Sequence, residues 1–292
     1  NIDNTPFDDA TTNTVLVTST GRILLGTSQG LFQYDPNSNR LSHLSLGKIS
    51  IQFIQEAANG TLWVVARDQS DHGLLYSFEG GKWRPHLTDQ SITTIYQSPD
   101  NYLWVGAERG LYLFDATTGW QQKLTLTTKV NCIYQLADGT LLMGTDSGLW
   151  VEPDTEVPEL IVQQHGLFIK GIFQASNGLI WVRSDQGILS YDGQSWIKHG
   201  IYWGNYGATG LKAGAHEDTD GTIWFNGSLT SSPSTLDGSP VSSFKDGKWE
   251  KHYPPGAGWL ADVVQTSDGR IWAFGGGGIW ANYHINLKGE KI

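Results

Sequence analysis

Gly60-Thr61-Leu62-Trp63, Asn101-Tyr102-Leu103-Trp104, Gly178-Leu179-Ile180-Trp181, Gly221-Thr222-Ile223-Trp224 and Gly269-Arg270-Ile271-Trp272 are five copies of one phrase. Two further copies, Gly21-Arg22-Ile23-Leu24 and Gly139-Thr140-Leu141-Leu142, place Leu where the others have Trp. The landmark positions 24, 63, 104, 142, 181, 224 and 272 are spaced by 39, 41, 38, 39, 43 and 48 residues. A period near forty that runs through the whole chain is the mark of a repeat architecture.

Each copy sits in a larger unit. A short apolar run lies upstream, such as Ile92-Thr93-Thr94-Ile95-Tyr96 or Val130-Asn131-Cys132-Ile133-Tyr134. The phrase opens on a polar turn, Asn59-Gly60 or Asp138-Gly139, of the kind that supplies the positive φ of two-residue hairpins. Gly-Leu or Gly-Ile with an aromatic or Leu follows, as in Gly30-Leu31-Phe32 and Gly148-Leu149-Trp150. A fourth run, such as Lys82-Trp83-Arg84-Pro85-His86, completes the unit. β-Branched and aromatic residues dominate these runs, and no window holds a helical period. The pattern predicts an all-β, seven-bladed β-propeller with four antiparallel strands per blade. The repeated Trp is expected in the core, because a residue present in nearly every blade serves packing rather than a unique site.

The expected domain is one propeller over 1–292. Its blades lie near 13–48, 49–90, 91–128, 129–165, 166–200, 210–254 and 258–292. The last blade is completed either by Gly289-Glu290-Lys291-Ile292 or by the N-terminal stretch around Ile2 to Phe7, so that 1–12 helps close the ring.

The running pattern Asp-Gly-x-Leu-Trp-x-Gly-Thr-x-x-Gly-Leu resembles the two-component regulator propeller repeat, found in bacterial sensor proteins. It is carried best by Leu103-Trp104-Val105-Gly106 to Gly110-Leu111 and by Leu141-Leu142-Met143-Gly144-Thr145 to Gly148-Leu149. The resemblance implies a ligand-binding sensor domain in an extracytoplasmic location, periplasmic or secreted.

The 292 residues carry a net charge of −10, which argues against nucleic acid or an anionic membrane as the main partner. No apolar run approaches a membrane helix in length, so no membrane insertion is expected. The lone Cys132 excludes an intrachain disulfide and reads as a small core residue. The start at Asn1 without a visible signal peptide fits a mature protein or an excised piece.

Function on a repeat fold lies in departures from the repeat. The turns between second and third strands read Ser28-Gln29, Glu108-Arg109, Asp146-Ser147 and Asp185-Gln186 in four blades. Blade two expands to Arg67-Asp68-Gln69-Ser70-Asp71-His72, blade six from Asn226 through Asp237, and blade seven has Gly275 to Gly278. The crossing from blade five to six, Gly200 to Gly210, holds Tyr202, Trp203 and Tyr206. These aromatics form either a stacking platform for a sugar or planar ligand, or a small core within their own loop. Arg183 stands where three other blades have Gly26, Gly106 and Gly144, and is expected at the channel mouth, either in binding or paired to Asp185 or Asp146. All these departures are expected on one face. The candidate ligand-binding residues are Arg67, Asp68, His72, Arg109, Asp146, Arg183, Asp185, Tyr202, Trp203 and Tyr206.

Other features read as structure. Trp83-x-x-His86, Trp196-x-x-His199 and Trp249-x-x-His252 occupy the outer strands of three blades, too far apart for one metal site. His72 and His216 lie on or near the departing face. Asp218-Thr219-Asp220-Gly221 falls on the repeat turn and lacks the downstream Glu of a calcium loop. There is no nucleophile elbow, phosphate loop or zinc spacing, so no cofactor, metal or catalytic residue is expected. The leading functional reading is a small polar ligand or glycan bound on the loop-rich face. The alternatives are a scaffold for a protein partner and, behind it, a polysaccharide lyase or hydrolase. Oligomeric state is not legible.

Overall fold

In the computed structural model the described residues are 12–35, 38, 40–44, 46–151, 167–199, 215–226, 241–252, 260–265 and 271–275. For 216, 226, 241, 260–265 and 271–275 the description is limited to the backbone. The described elements are all β-strands. The chain divides into two compact units, Asn1–His165 and Gly166–Ile292.

The first unit holds four antiparallel sheets in chain order. Sheet one is β1 (Thr12–Val17), β2 (Ile23–Thr27), β3 (Gly30–Asp35) and β4 (Arg40–Leu44). Sheet two is β5 (Ser50–Glu56), β6 (Leu62–Arg67), β7 (Gly73–Glu79) and β8 (Lys82–His86). Sheet three is β9 (Ile92–Gln97), β10 (Leu103–Ala107), β11 (Gly110–Asp115) and β12 (Gly119–Thr125). Sheet four is β13 (Val130–Gln135), β14 (Leu141–Thr145) and β15 (Gly148–Val151).

The second unit follows the same plan. Sheet five is β16 (Ile169–Gln174), β17 (Ile180–Ser184), β18 (Gly187–Tyr191) and β19 (Trp196–His199). Sheet six is β20 (Ala215–Glu217), β21 (Ile223–Asn226), β22 (Val241–Lys245) and β23 (Lys248–His252). Sheet seven contains β24 (Leu260–Gln265) and β25 (Ile271–Gly275). The seven repeats thus fold as seven sheets among the described residues, each a meander of neighbouring strands.

The turns that open each phrase are one residue longer than the sequence predicts. Thr18 N donates to Arg22 O and Gly21 N to Thr18 O, which leaves a three-residue loop. The same pair of bonds recurs at Ala57–Thr61, Ser98–Tyr102, Leu136–Thr140, Ala175–Leu179 and Asp218–Thr222. The third loop residue has positive φ: Gly21 79°, Gly60 81°, Asn101 69°, Gly139 91°, Gly178 86° and Gly221 82°. This is a type I turn followed by one left-handed residue rather than a two-residue turn. One left-handed position per turn suffices, which is why Asn101 can replace Gly.

The phrase Trp and Leu residues are core. Leu24, Trp63, Trp104, Leu142, Trp181 and Trp224 are all buried. In the first unit they lie between successive sheets, with β5 packed on β1 and β2, β9 on β5 to β7, and β13 on β9 and β10. Trp63 meets Phe114 and Trp120 of the next sheet at ring separations of 5.3 and 5.8 Å. In the second unit Trp181 meets Phe225, Phe244 and Trp249 of sheet six at 5.4, 5.0 and 6.1 Å. The layers between sheets two and three and between sheets five and six are thus filled by aromatic pairs in tilted and edge-on geometry, whereas Leu24, Leu31, Ile51, Ile54 and Val64 fill the layer between sheets one and two.

The outer-strand histidines belong to these layers. His86 Nε2 lies 2.7 Å from Ser77 Oγ, and its Nδ1 accepts from Trp120 Nε1 at 3.2 Å. His199 repeats this with Ser190 at 2.8 Å and Trp249 at 3.3 Å. An indole N–H can only donate, so Nδ1 is unprotonated and the ring proton sits on Nε2, donating to the serine. His252 and Ser243 are 2.8 Å apart in the same arrangement. Burial lowers the pKa of all three imidazoles.

A second device couples neighbouring sheets at the opposite edge of the layer. Glu56, the last residue of β5, takes Ser19 N at 2.5 Å and Ser19 Oγ at 3.0 Å from the turn of the preceding sheet. Glu217, the last residue of β20, takes Ser176 N at 2.7 Å and Ser176 Oγ at 2.6 Å. Where the strand ends in glutamine the side chain turns home: Gln97 donates to Asn101 O, Gln135 to Gly139 O and Gln174 to Gly178 O. In those three cases the preceding turn offers Ala58, Pro99 or Ala137 instead of serine.

Cys132 is half-buried rather than a core residue. It lies on the first strand of its sheet, beside the bulge described below.

Candidate functional site

In the described sheets the turn between second and third strands lies at the end where the chain enters the first strand. Glu108 N donates to Ser91 O, Asp146 N to Lys129 O and Asp185 N to Phe168 O. Leu126, which leaves β12, donates to Arg109 O at this same end. Arg67, Asp68, His72, Arg109 and Asp146 therefore share one end of the sheets of the first unit. Arg183 and Asp185 lie at the corresponding end of sheet five in the second. Tyr202, Trp203 and Tyr206 lie outside the described residues, as do 227–240 and 276–278.

Several of these side chains hold their own turns. Asp68 Oδ1 accepts from Ser70 N at 2.8 Å and His72 N at 3.0 Å. Arg67 Nη1 donates to Asp71 O at 2.7 Å, with the Asp71 carboxylate 3.8 Å from Nε. Asp71 has φ of 61°, so blade two's charged insert is the same three-residue turn seen elsewhere, tied by Asx and arginine contacts. Asp146 Oδ1 accepts from Asn131 Nδ2 at 2.7 Å, and Asp185 Oδ1 from Phe168 N at 3.0 Å. The Arg109 side chain is exposed, and His72 is half-exposed.

Arg183 is 4% exposed, so it is buried in the sheet rather than standing at its mouth. The reason is its cross-strand partner, Gly171, which leaves room that Thr14, Thr94 and Cys132 fill opposite Gly26, Gly106 and Gly144.

A polar row that sequence reasoning missed lies on the first strands. Each of β1, β5, β9, β13, β16 and β24 carries a one-residue bulge near its start. The inserted residues are Asn13, Gln52, Thr93, Asn131, Lys170 and Ala261. Bulges re-aim side chains and cluster beside functional sites. In the first unit two of these residues stitch sheets together: Asn13 Nδ2 donates to Ile51 O at 2.9 Å, and Thr93 Oγ1 donates to Val130 O. Gln52 Nε2 donates to Ser50 Oγ at 2.9 Å, and Asn13 Nδ2 reaches the same hydroxyl at 3.3 Å. Amide and hydroxyl groups thus line the entry end of the first strands, a donor and acceptor set suited to an uncharged polar ligand. The available signal was a polar residue that breaks the alternation of an apolar run, as in Val130-Asn131-Cys132-Ile133.

The Asp218 turn at the other end of sheet six is occupied structurally. Asp218 Oδ2 accepts from Trp224 Nε1 at 2.9 Å, and Oδ1 accepts from Asp220 N and Thr222 N at 3.0 and 2.9 Å. Burial pushes the Asp218 carboxyl up. Asp220 is held well below the usual carboxylate range, first by Asp218 and then by Lys245.

The family model described as "Two component regulator propeller" matches residues 86–109, from the end of β8 to the turn after β10. The chain therefore carries this repeat. No curated protein matches the chain. Among solved structures, the chain is similar to the extracellular domain of a protein described as a hybrid two component system from B. thetaiotaomicron. The identity is 15% over 93% of this chain and 50% of that one, with a TM-score of 0.50. A chain of the Mitotic Checkpoint Complex is similar at 12% identity over 93% and 94%, with a TM-score of 0.57. A structure described as a gluconolactonase is similar at 12% identity over 84% and 90%, with a TM-score of 0.51. At such identities the likeness is one of fold. The chain spans half the length of the two-component extracellular domain.

Proposed function

We propose that the chain is a single seven-bladed propeller that binds a small polar ligand, carbohydrate-like in its hydroxyl chemistry, as a sensor-type domain outside the cytoplasm. The observation that carries the reading is the concentration of non-repeating polar groups at the entry end of the sheets. Bulge residues, second-to-third turns and chain crossings meet there, while the other end repeats one tight turn. Asn13, Gln52 and Asn131 supply amides there, and Arg109 and His72 supply ionisable groups; Tyr202, Trp203 and Tyr206 are added from the sequence alone as candidate stacking residues. The extracytoplasmic placement is supported by the repeat and by the likeness to the extracellular domain from B. thetaiotaomicron.

A thermal-shift screen over neutral and acidic oligosaccharides tests the proposal. A ligand that raises the melting temperature, with the effect lost in Gln52→Ala and in Trp203→Ala, supports it. A flat response across the screen refutes it, and a stoichiometric protein captured on the same end would favour the scaffold reading instead.

A further inference from the structure

The inserted residues of the first unit use their polar groups in two ways. In sheets three and four each is spent on a single neighbour: Thr93 Oγ1 donates to Val130 O, and Asn131 Nδ2 to Asp146 Oδ1. In sheets one and two they converge on one atom. Asn13 Nδ2 lies 3.3 Å from Ser50 Oγ and Gln52 Nε2 lies 2.9 Å from it, so two side-chain amides from neighbouring sheets donate to one hydroxyl. Asn13 Nδ2 also donates to Ile51 O at 2.9 Å. A backbone carbonyl only accepts, which fixes the end of the Asn13 amide that faces the scaffold. All three side chains are half-buried.

A serine hydroxyl has one proton and two lone pairs. With both lone pairs taken by Asn13 and Gln52, the Ser50 proton is left over, and no acceptor takes it among the described residues. The amide carbonyls Asn13 Oδ1 and Gln52 Oε1 stand opposite their NH2 groups and likewise meet no donor among the described residues. The cluster therefore presents an acceptor, a donor and an acceptor across the entry end of sheets one and two, each held in place by its neighbours before a ligand arrives. Charge points away from an anion. Arg67 is the ladder partner of Ser50, yet its guanidinium is turned onto Asp71. Residues 1–165 hold 9 Lys and Arg against 18 Asp and Glu, a net charge of −9.

We propose that Asn13, Ser50 and Gln52 form a subsite for adjacent hydroxyls of a neutral sugar. Two sugar hydroxyls donate to the amide carbonyls, and the oxygen between them accepts from Ser50. This rests on the ligand-binding reading above and narrows its ligand from carbohydrate-like to uncharged and rich in donors. A carboxylate in the same place would set its oxygens against two carbonyls with a single hydroxyl in compensation. Stranding polar groups in this way costs more than the one hydrogen bond returns.

Calorimetric titration of the whole chain with galactotriose, maltotriose, cellotriose and trigalacturonate tests it. At least one neutral trisaccharide should bind, and more tightly than trigalacturonate. Ser50→Ala should weaken that sugar about tenfold. Gln52→Glu keeps an acceptor at this position but has no amide to donate, so the Ser50 proton turns onto the new carboxylate and is lost to the ligand. It should weaken the sugar by a similar factor, with circular dichroism confirming the fold of both variants. An affinity indifferent to either variant overturns the inference, although the broader sugar-binding reading then survives. So does trigalacturonate binding more tightly than every neutral trisaccharide. Absence of binding by all four overturns this inference alone, since the broad thermal-shift screen decides the other.

Discussion

Arg183 on β17 pairs across the ladder with Gly171 on β16, an inversion of the Gly106–Thr94, Gly26–Thr14 and Gly144–Cys132 pairs. A Cβ on Gly106 would come within 2.7 Å of both Thr94 Cγ2 and Val130 Cγ1, so one large partner excludes another. The pair shares a fixed space, and sheet five assigns it to the second strand.

Restoring the threonine while keeping the arginine should therefore overfill the site. Gly171→Thr is expected to cost about 1–3 kcal/mol in denaturant unfolding. Arg183→Gly in the same chain should recover most of that loss, which a double-mutant cycle reads as a favourable coupling. Additive effects would show that the two positions do not share the space.

The Ser–Glu contacts give a second test. Ser176→Ala and Glu217→Gln should each cost about 1 kcal/mol, and the double variant little more than either alone. The partly exposed setting keeps the value near the low end. Moving the pair, with Ala58→Ser and Gln97→Glu together, should recreate the contact between sheets two and three. A melting temperature no higher than in the single variants would count against it.

The three lowered histidine pKa values fix a pH dependence. Above the unfolded value of 6.5 the rings are neutral in both states, and stability is unaffected by them. As pH falls through 6.5 the unfolded chain takes up protons that the folded chain refuses, so stability drops until the lower folded values are reached. His86→Gln and His199→Gln should flatten this part of the profile, as measured by unfolding between about pH 7 and pH 5. An unchanged slope in the double variant would show that other groups govern the window.

Asp218 satisfies the Trp224 indole, whereas the indole nitrogens of Trp104 and Trp181 are buried without a hydrogen-bond partner. The equivalent turn positions there are Ser98 and Ala175. Asp218→Ala should cost about 1–3 kcal/mol by removing the acceptor of the Trp224 indole and of the Asp220 amide. Asp218→Asn, which keeps an acceptor, should cost less. Equal losses in a chemical denaturation series would show that charge, not hydrogen bonding, is the contribution.

Much of this was readable before any coordinates. The Gly-to-Trp phrase located the second strand of each sheet, and the burial of Trp63, Trp181 and Trp224 follows from its repetition. The placement of Arg109, Asp146 and Asp185 at the entry end of their own sheets followed from turn order alone. The burial of Arg183 did not, because it depends on Gly171 twelve residues away. The bulge row at Asn13, Gln52, Thr93, Asn131 and Lys170 had only the hint of a polar residue interrupting an apolar run, as at Asn131, because a bulge is a mismatch that needs both strands to define it.

The sequence by itself determined the repeat, the strand order, the turn positions and the aromatic core, since these depend on local periodicity and on residues that recur at a fixed spacing. Tertiary structure decided which polar groups are spent on their own turns, which join neighbouring sheets, and which remain at the entry end. Those outcomes depend on cross-strand register and on contacts between sheets about forty residues apart, where a single small residue such as Gly171 settles what its partner can do.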